Sequence, residues 1–192
     1  TFYIGKNARV KYVEKHYGSG DGSGERIMNP VTEISLDEDS FMEMETVQIR
    51  GVDSTKRENR AHLKAGAKLV VMERLMTHGK QKAESWFDVQ LDGEDSSANI
   101  VSHSVARDES WQLFQSHISG NTRCSGHTEC DAIIMENAKI SAVPQLTANH
   151  VDAALIHEAA IGKIAGEQLI KLMTLGLTEA EAEEQIISGF LK

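Results

Sequence analysis

The sequence has few cysteines and prolines for its 192 residues, and each shortage removes a class of structure. Two cysteines, Cys124 and Cys130, are too few for a disulfide framework, and their spacing fits neither a C-x-x-C redox pair nor a four-ligand zinc site. We therefore expect free thiols. Two prolines argue against domains joined by Pro-rich linkers, so we expect one substantial domain with one flexible loop at Gly18–Gly24.

The chain also lacks an excess of basic charge and any long apolar run. Its 29 acidic and 20 basic residues give a net charge of -9, which argues against a nucleic-acid or anionic membrane partner. No apolar run approaches the roughly 20 residues that span a bilayer, and the N-terminal residues lack the pattern of a signal peptide. We expect a soluble, cytoplasmic protein. Because Thr1 stands where Met would begin a chain, a fragment of a longer protein is also possible.

Short β-type runs separated by Gly, Asn, Asp and Ser fill the chain from about Asn29 to Leu146, which predicts an all-β body. Leu36, Leu63 and Leu91 precede turns and recur at intervals of 27 and 28 residues, as in a solenoid whose coils stack. We therefore favour a β-helix over a sandwich or a cupin barrel, which have similar sequence texture. Four segments carry the turn pattern, the last of them loosely: 31–41, 61–70, 87–96 and 132–140.

The C-terminal part of the chain changes to helical spacing. Apolar side chains in residues 168–175 recur as on one face of a helix, and Gly176 can end that helix in a left-handed conformation. Thr178 and Glu181 then match a capping box, in which each side chain accepts from the other residue's backbone N–H. A second helix is predicted from about 179 to 188.

We expect Gly189 to end the second helix, and the chain to divide into a β-helix core at 1–164 and a helical segment at 165–192. Two short amphipathic helices cannot bury their apolar faces alone. Their apolar side chains must pack on the body, on each other or on a partner: Leu169, Leu172, Ile186, Ile187 and Phe190.

Cys130 and Glu158 are the residues most suited to chemistry. A thiolate at Cys130 would be a soft ligand for iron, copper or zinc and an acceptor for sulfane sulfur, although a buried cysteine is also an ordinary core residue. Glu158 follows His157 in an apolar segment, where a buried charge needs a partner, a metal or a raised pKa. If the segment is a strand, His157 and Glu158 face opposite sides.

Two other kinds of site lack support in the sequence. The glycine in Ile161-Gly-Lys-Ile164 is not followed by a hydroxyl or preceded by the earlier glycine of a phosphate loop, so no nucleotide site is visible. Other histidines are scattered without a tight His-x-His cluster, which makes a cupin-like metal site a minor alternative. These are His62, His78, His103, His117, His127 and His150.

Several motifs together resemble a known family. The blocks His157-Glu-Ala-Ala-Ile-Gly-Lys-Ile, Gly176-Leu-Thr-Glu-Ala-Glu and Ile187-Ser-Gly-Phe-Leu closely resemble the C-terminal signature of SufB and SufD, the scaffold proteins of the SUF iron-sulfur cluster assembly system. Cys130-Asp-Ala-Ile-Ile-Met resembles the preceding coil. The resemblance implies a right-handed parallel β-helix, C-terminal helices that dock a SufC-type ABC ATPase, and pairing of two subunits through the last β-helix strands.

The resemblance also implies roles for individual residues. In SufB-like members the cysteine of the Thr-x-Cys-Asp motif accepts sulfur and, with the glutamate of the His-Glu pair, binds the nascent cluster; these positions fall on Cys130 and Glu158. In SufD-like members the histidine of the same pair, which falls on His157, is linked to cluster assembly at the subunit interface. Possession of both Cys130 and Glu158 makes the chain SufB-like. The expected docking residues are Leu169, Leu172, Met173, Ile187 and Phe190.

The resulting hypothesis is a scaffold and not an enzyme. It would receive sulfur from a sulfur donor protein and hold a transient iron-sulfur cluster in a homodimer or heterodimer, with ATPase activity in a partner. A docking subunit that binds no cluster is the main alternative, and a cupin-type metal protein the lesser one. The cluster type, the internal sulfur path and any role of Cys124 stay open.

Overall fold

The computed structural model describes residues 1–18 and 24–192, so the loop predicted at Gly18–Gly24 lies outside the described residues apart from its two ends. The described ranges are mainly β, with 59% of residues in strands, which confirms the predicted β body. The first strand begins at Phe2, earlier than predicted. In the described ranges, thirteen strands precede two helices: β1 (Phe2–Ile4), β2 (Arg9–Tyr17), β3 (Ile27–Met28), β4 (Val31–Leu36), β5 (Phe41–Arg50), β6 (Ser54–Leu63), β7 (Lys68–Thr77), β8 (Lys82–Leu91), β9 (Ser97–Ala106), β10 (Trp111–Gly120), β11 (Cys124–Ile134), β12 (Lys139–Ala148), β13 (Ala153–Gly162), α1 (Gly166–Thr174) and α2 (Glu179–Phe190).

Successive long strands alternate between two parallel sheets. One sheet has the order β1-β4-β6-β8-β10-β12, with β3 also paired to β6, and the other has the order β13-β11-β9-β7-β5-β2. The chain therefore winds into a parallel β-solenoid of about six turns. The β-helix prediction is confirmed. The sandwich and cupin-barrel alternatives are wrong, because both are built on antiparallel pairing.

The leucine repeat is a true coil repeat. Leu36 pairs in register with Leu63, and Leu63 with Leu91, and all three are almost fully buried inside the solenoid. The next position in this column is Gly120, so the repeat loses its leucine there. The fourth segment, 132–140, was wrongly grouped with the others: it runs from β11 to β12, at the opposite corner of the coil. The error arose because both corners use the same small and acidic turn residues.

The turns between the sheets are stacked in the same way as the strands. Asp39, Gly66 and Asp95 occupy successive turns, all with positive φ, at 55°, 66° and 59°. Each donates its backbone N–H to a carbonyl in the turn of the next coil, at 2.8 to 2.9 Å. Asp and Gly tolerate this left-handed conformation better than other residues, which explains the Asp- and Gly-rich punctuation of the sequence.

The two predicted helices are present. α1 is followed by Gly176 at φ 97°, as expected for a left-handed end. The capping box at α2 is confirmed: Glu181 N–H donates to Thr178 Oγ1 at 3.3 Å, and Thr178 N–H donates to Glu181 Oε2 at 2.8 Å. Neither helix is long and apolar enough to cross a membrane.

α2 runs on through Gly189 to Phe190, so the predicted stop at Gly189 is wrong. Packing outweighs the roughly 1 kcal/mol by which glycine disfavours a helix interior. Ile187 is buried in a small cluster with Val105 and Met135 of the solenoid, and the Phe190 ring also packs there. α2 is thus attached to the β body, while the division of the chain into domains at residue 164 stays a prediction.

The stacked leucine column generates a stability prediction. Leu63→Ala should lower the free energy of unfolding by about 2 to 5 kcal/mol, because a fully buried side chain is removed between two leucines that cannot close the gap. Leu175→Ala is the matched control, since Leu175 is 76% exposed and its truncation should change stability by less than about 0.5 kcal/mol. Urea unfolding followed by circular dichroism measures both. Equal losses of unfolding free energy in the two variants would contradict a stabilising role for the leucine column.

Candidate functional site

Cys130 lies within β11 and points into the solenoid, where it is fully buried. Its register neighbours are Ser102 on β9 and Ala159 on β13. Burial, together with the charges of Glu73 and Asp131, raises the pKa of the Cys130 thiol to about 12. The thiol is therefore protonated at neutral pH in this structure, and it needs a change of environment before it can act as a thiolate.

Glu73 brings a carboxylate into the same interior. It is only 4% exposed and accepts hydrogen bonds from Ser85 Oγ at 2.6 Å and Ser102 Oγ at 2.8 Å. Because Ser102 stacks directly on Cys130, the carboxylate, the hydroxyl and the thiol form one buried polar stretch along the coils. Sequence reasoning missed Glu73. The available signal was an acidic residue at an inward position in the alternation of β7.

A second buried polar group lies nearer the first coils. Arg57 is buried, donates to Glu14 Oε2 at 3.2 Å, and lies 3.0 Å from His16 Nδ1. Burial acts to raise the pKa of the Glu14 carboxyl, but Arg57 and His16 outweigh it and hold that pKa below its ordinary value. This network neutralises its own charge, and sequence reasoning did not single out its members.

His157 shares the inner face with Cys130. It pairs in register with Thr128, two positions before Cys130, and its ring Nδ1 lies 3.2 Å from the Thr128 carbonyl oxygen. With Nδ1–H donating to that carbonyl, the ring presents Nε2 as its second nitrogen. His157 is half-buried on β13, the outermost strand of its sheet.

Glu158 lies on the other face. It pairs in register with Glu129, its side chain is 66% exposed, and one carboxylate oxygen lies 3.5 Å from His127 Nε2. The opposite orientations of His157 and Glu158 follow from strand alternation, as predicted. The structure therefore brings His157 and Cys130 to one face of the sheet and separates both from Glu158.

The outer face of β9, β11 and β13 carries a cluster that sequence reasoning also missed. Two triads of possible ligand residues share Glu129, and within each triad the ligand atoms lie within 4.8 Å of one another. The missed signal is the period of two in His127-Thr-Glu-Cys-Asp131, which places His127, Glu129 and Asp131 on one side of a strand. The triads are His103, Glu129 and Asp131, and His127, Glu129 and Glu158.

The residues expected to dock a partner are placed unequally. Ile187 is buried against the solenoid, and the Phe190 ring stacks on His103 with centroids 5.1 Å apart. Leu169 and Leu172 of α1 are half-buried, whereas Met173 is 43% exposed. The accessible part of the expected docking set therefore lies on α1.

Comparison with known proteins identifies relatives of the whole chain. A family model described as the SUF system FeS cluster assembly, SufBD core domain, matches residues 1–190. An iron-sulfur cluster assembly SufBD family protein of Methanothermobacter thermautotrophicus is 32% identical over 99% of this chain and 46% of its own length.

Two further archaeal relatives carry the same family description. The one from Methanocaldococcus jannaschii is 30% identical over 98% of this chain and 60% of its own length. The one from Archaeoglobus fulgidus is 29% identical over 100% of this chain and 51% of its own length. The chain thus spans about half the length of the curated relatives it matches.

The raised pKa of Cys130 generates a labelling prediction. At pH 8 the folded protein should react with iodoacetamide at Cys130 on the order of a thousandfold more slowly than the urea-unfolded chain, because about three pKa units separate the buried thiol from an unfolded one. Mass spectrometry of the labelled peptides measures the rate. Cys124, also buried with a raised pKa, is the internal comparison and should be labelled before Cys130. Rapid labelling of Cys130 in the folded state would contradict this account.

Proposed function

We propose that this chain, which belongs to the SufBD family of iron-sulfur cluster assembly proteins, is a scaffold that accepts sulfur at Cys130 and holds a nascent cluster at a subunit interface. A SufC-type ABC ATPase would drive the opening of the scaffold, and a sulfur donor protein would supply the sulfur. The chain would act as a scaffold and not as an enzyme.

The observation that carries this proposal is the position of Cys130. It lies one strand from the end of its sheet, inside the solenoid, with His157 on the same face of the neighbouring strand. A thiolate and an imidazole are both ligands for iron. Because one chain supplies too few thiolates for a four-cysteine site, a cluster held here would take further ligands from a second subunit.

Sulfur acceptance requires that Cys130 become a thiolate and be reached by a donor. The thiolate would attack the terminal sulfur of a donor persulfide, the donor's S–S bond would break, and the donor would leave as a thiolate while Cys130 carries the persulfide. The pKa of about 12 and the complete burial oppose this step in the closed solenoid. Displacement of β13 would expose Cys130 and lower the pKa of its thiol. We propose that the ATPase partner drives this displacement.

Glu158 can join the cluster only after such a displacement or through a second subunit. Strand alternation places it on the face opposite Cys130 as long as β13 pairs with β11. β12 and β13 are the last strands of their sheets, so one edge of each has no partner strand within the described chain. Both strands carry apolar side chains exposed by 36% to 55%. Val143 and Ile156 lie on the outer faces, whereas Leu146 and Ile161 lie at inward positions that no further coil covers within the described chain. This edge supports the proposed pairing of two subunits.

The second candidate function, a docking subunit that holds no cluster, is favoured by the same burial of Cys130 and by the separation of Glu158. Both candidates require a surface for the ATPase. Our candidate is α1 with the residue that follows it, because Ile170, Met173 and Leu175 are exposed by 63%, 43% and 76%. A cupin-type metal protein is no longer a candidate, since the fold is a solenoid.

Anaerobic reconstitution with ferrous iron and sulfide tests the cluster proposal. Cys130→Ala should lose most of the visible absorbance of the reconstituted cluster, and Glu158→Ala should lose part of it, because a thiolate contributes more to iron affinity than one carboxylate among several. Iron and sulfide analysis of the desalted protein quantifies both losses.

Cys124→Ala is the matched control, since it removes the other buried thiol of the chain and should retain the cluster. If Cys130→Ala and Glu158→Ala bind as much cluster as the parent, the cluster-holding role is wrong and the docking role stands.

The ATPase surface is tested separately. Met173→Asp and Ile170→Asp should each weaken binding of a SufC-type ATPase by about tenfold or more, because a charge is placed in an apolar contact. Val31→Asp, at an exposed position of β4, is the control and should bind normally. Isothermal titration calorimetry measures the affinities, and Cys130→Ala should not change them. Unchanged binding by both α1 variants would exclude this surface. Ile187 is unsuitable for the test, because its burial makes any polar substitution a folding defect.

A further inference from the structure

We propose that the outer face of β9, β11 and β13 holds a divalent first-row metal ion at a site centred on Glu129. Its ligands would come from two triads that share Glu129: His103, Glu129 and Asp131, and His127, Glu129 and Glu158. This site is distinct from the cluster position at Cys130, because Cys130 faces the interior from the same strand. It would receive a single ion and not an assembled cluster.

Strand register builds the site. His127, Glu129 and Asp131 are alternate residues of β11, and their outward side chains meet His103 on β9 and Glu158 on β13. All five residues contribute atoms to triads in which every pair of ligand atoms lies within 4.8 Å. A metal ion with bond lengths near 2.1 Å brings its ligand atoms to about 3 Å or more from one another, so small rotamer adjustments suffice within either triad. Imidazole and carboxylate together suit ferrous iron, manganese and zinc.

A hydrogen bond behind His127 orients one ligand. His127 Nδ1 lies 2.8 Å from Asn99 Oδ1, so Nδ1–H donates to the amide oxygen. In the neutral ring, Nε2 then carries a lone pair, and it lies 3.5 Å from Glu158 Oε2. A lone pair that faces a carboxylate is unfavourable, and either a proton on Nε2 or a metal ion between the two atoms removes the repulsion. A hydrogen bond of this kind behind a histidine is the usual support of a metal ligand.

A second contact holds His103. Its ring is stacked on Phe190 of α2, with centroids 5.1 Å apart and planes inclined by 22°. The ring is therefore held in place by the C-terminal helix. Movement of α2 would change the position of one ligand, which links the metal site to the segment that carries the proposed docking surface.

The charge of the cluster also favours a cation. Three carboxylates meet two imidazoles, and within residues 1–18 and 24–192 the one basic side chain found within 4.0 Å of these carboxylates is His127 itself. Some other outer-face carboxylates of this molecule have Lys or Arg partners, as Glu45 has in Arg74 at 2.6 Å and Glu43 has in Lys11 at 2.7 Å. The carboxylates around Glu129 thus have no Lys or Arg partner within the described ranges, unlike Glu45.

The identity of the ion as iron rests on the proposed function, since an iron-sulfur scaffold must receive iron. The binding of some divalent ion does not rest on the proposed function. Iron received on the outer face and sulfur received inside would then lie on opposite faces of β11. β13 covers one side of both positions, with Glu158 on its outer face and His157 on its inner face. Displacement of β13 would therefore uncover the iron position and the sulfur position together.

The test is an anaerobic titration of the metal-free chain, without sulfide, using Co²⁺ as a spectroscopic probe and Fe²⁺ by calorimetry. We expect binding with visible bands typical of nitrogen and oxygen ligands. Glu129→Gln should weaken binding by about tenfold or more, and His127→Ala and His103→Ala should each weaken it by a similar factor. Phe190→Ala should weaken it less, since it frees a ligand without removing one.

Two controls separate this site from others. His62→Ala removes an exposed histidine that also lies 3.5 Å from a carboxylate, that of Asp92, but belongs to no triad, and it should bind as the parent does. Cys130→Ala should also retain the ion, even if this variant fails to assemble a cluster. The experiment therefore distinguishes a failure of the cluster proposal from a failure of the metal-site proposal. Thermal melts confirm that each variant is folded.

Absence of binding by the parent chain would overturn the proposal, as would a Glu129→Gln variant with unchanged affinity. A thiolate-to-cobalt charge-transfer band that disappears in Cys130→Ala would place the ion at Cys130 and would likewise overturn it.

Discussion

The parallel hydrogen-bond ladder between successive coils fixes the position of every functional side chain in this protein. Because each strand pairs in register with the equivalent strand of the next coil, equivalent residues stack in columns. Because side chains alternate along a strand, each column lies either inside or outside the solenoid. Leu36, Leu63 and Leu91 form an inner apolar column, and the same rule places Glu73, Ser102 and Cys130 in an inner polar one.

This rule separates two chemistries that are adjacent in the sequence. Cys130 is surrounded by apolar and hydrogen-bonded groups that keep its thiol protonated, whereas Glu129 and Asp131 face solvent beside two imidazoles. The soft sulfur atom of Cys130 and a set of harder nitrogen and oxygen atoms thus lie on opposite faces of β11 without contact. The closed solenoid keeps the two sets on opposite faces of β11, and under the proposed function movement of β13 would uncover Cys130.

Much of the fold was predictable, and the misses have physical causes. The coil interval was visible because the leucines recur where identical turns require identical inner positions. The misplaced fourth segment and the wrong end of α2 share a different cause, since local signals were used where packing decides. Turn chemistry does not tell one corner of a coil from the other, and Gly189 does not end a helix that Ile187 and Phe190 hold against the body.

Neighbouring residues and motifs along the chain were enough to predict the strand pattern, the capping of α2, the family resemblance and the opposite orientation of His157 and Glu158. Only the three-dimensional structure shows that Glu129 lies beside His103 on β9 and Glu158 on β13, that Glu73 shares an inner column with Cys130, and that Ile187 is buried. These residues are distant in the sequence, and only the register of the parallel ladder and the packing of α2 on the solenoid bring them together.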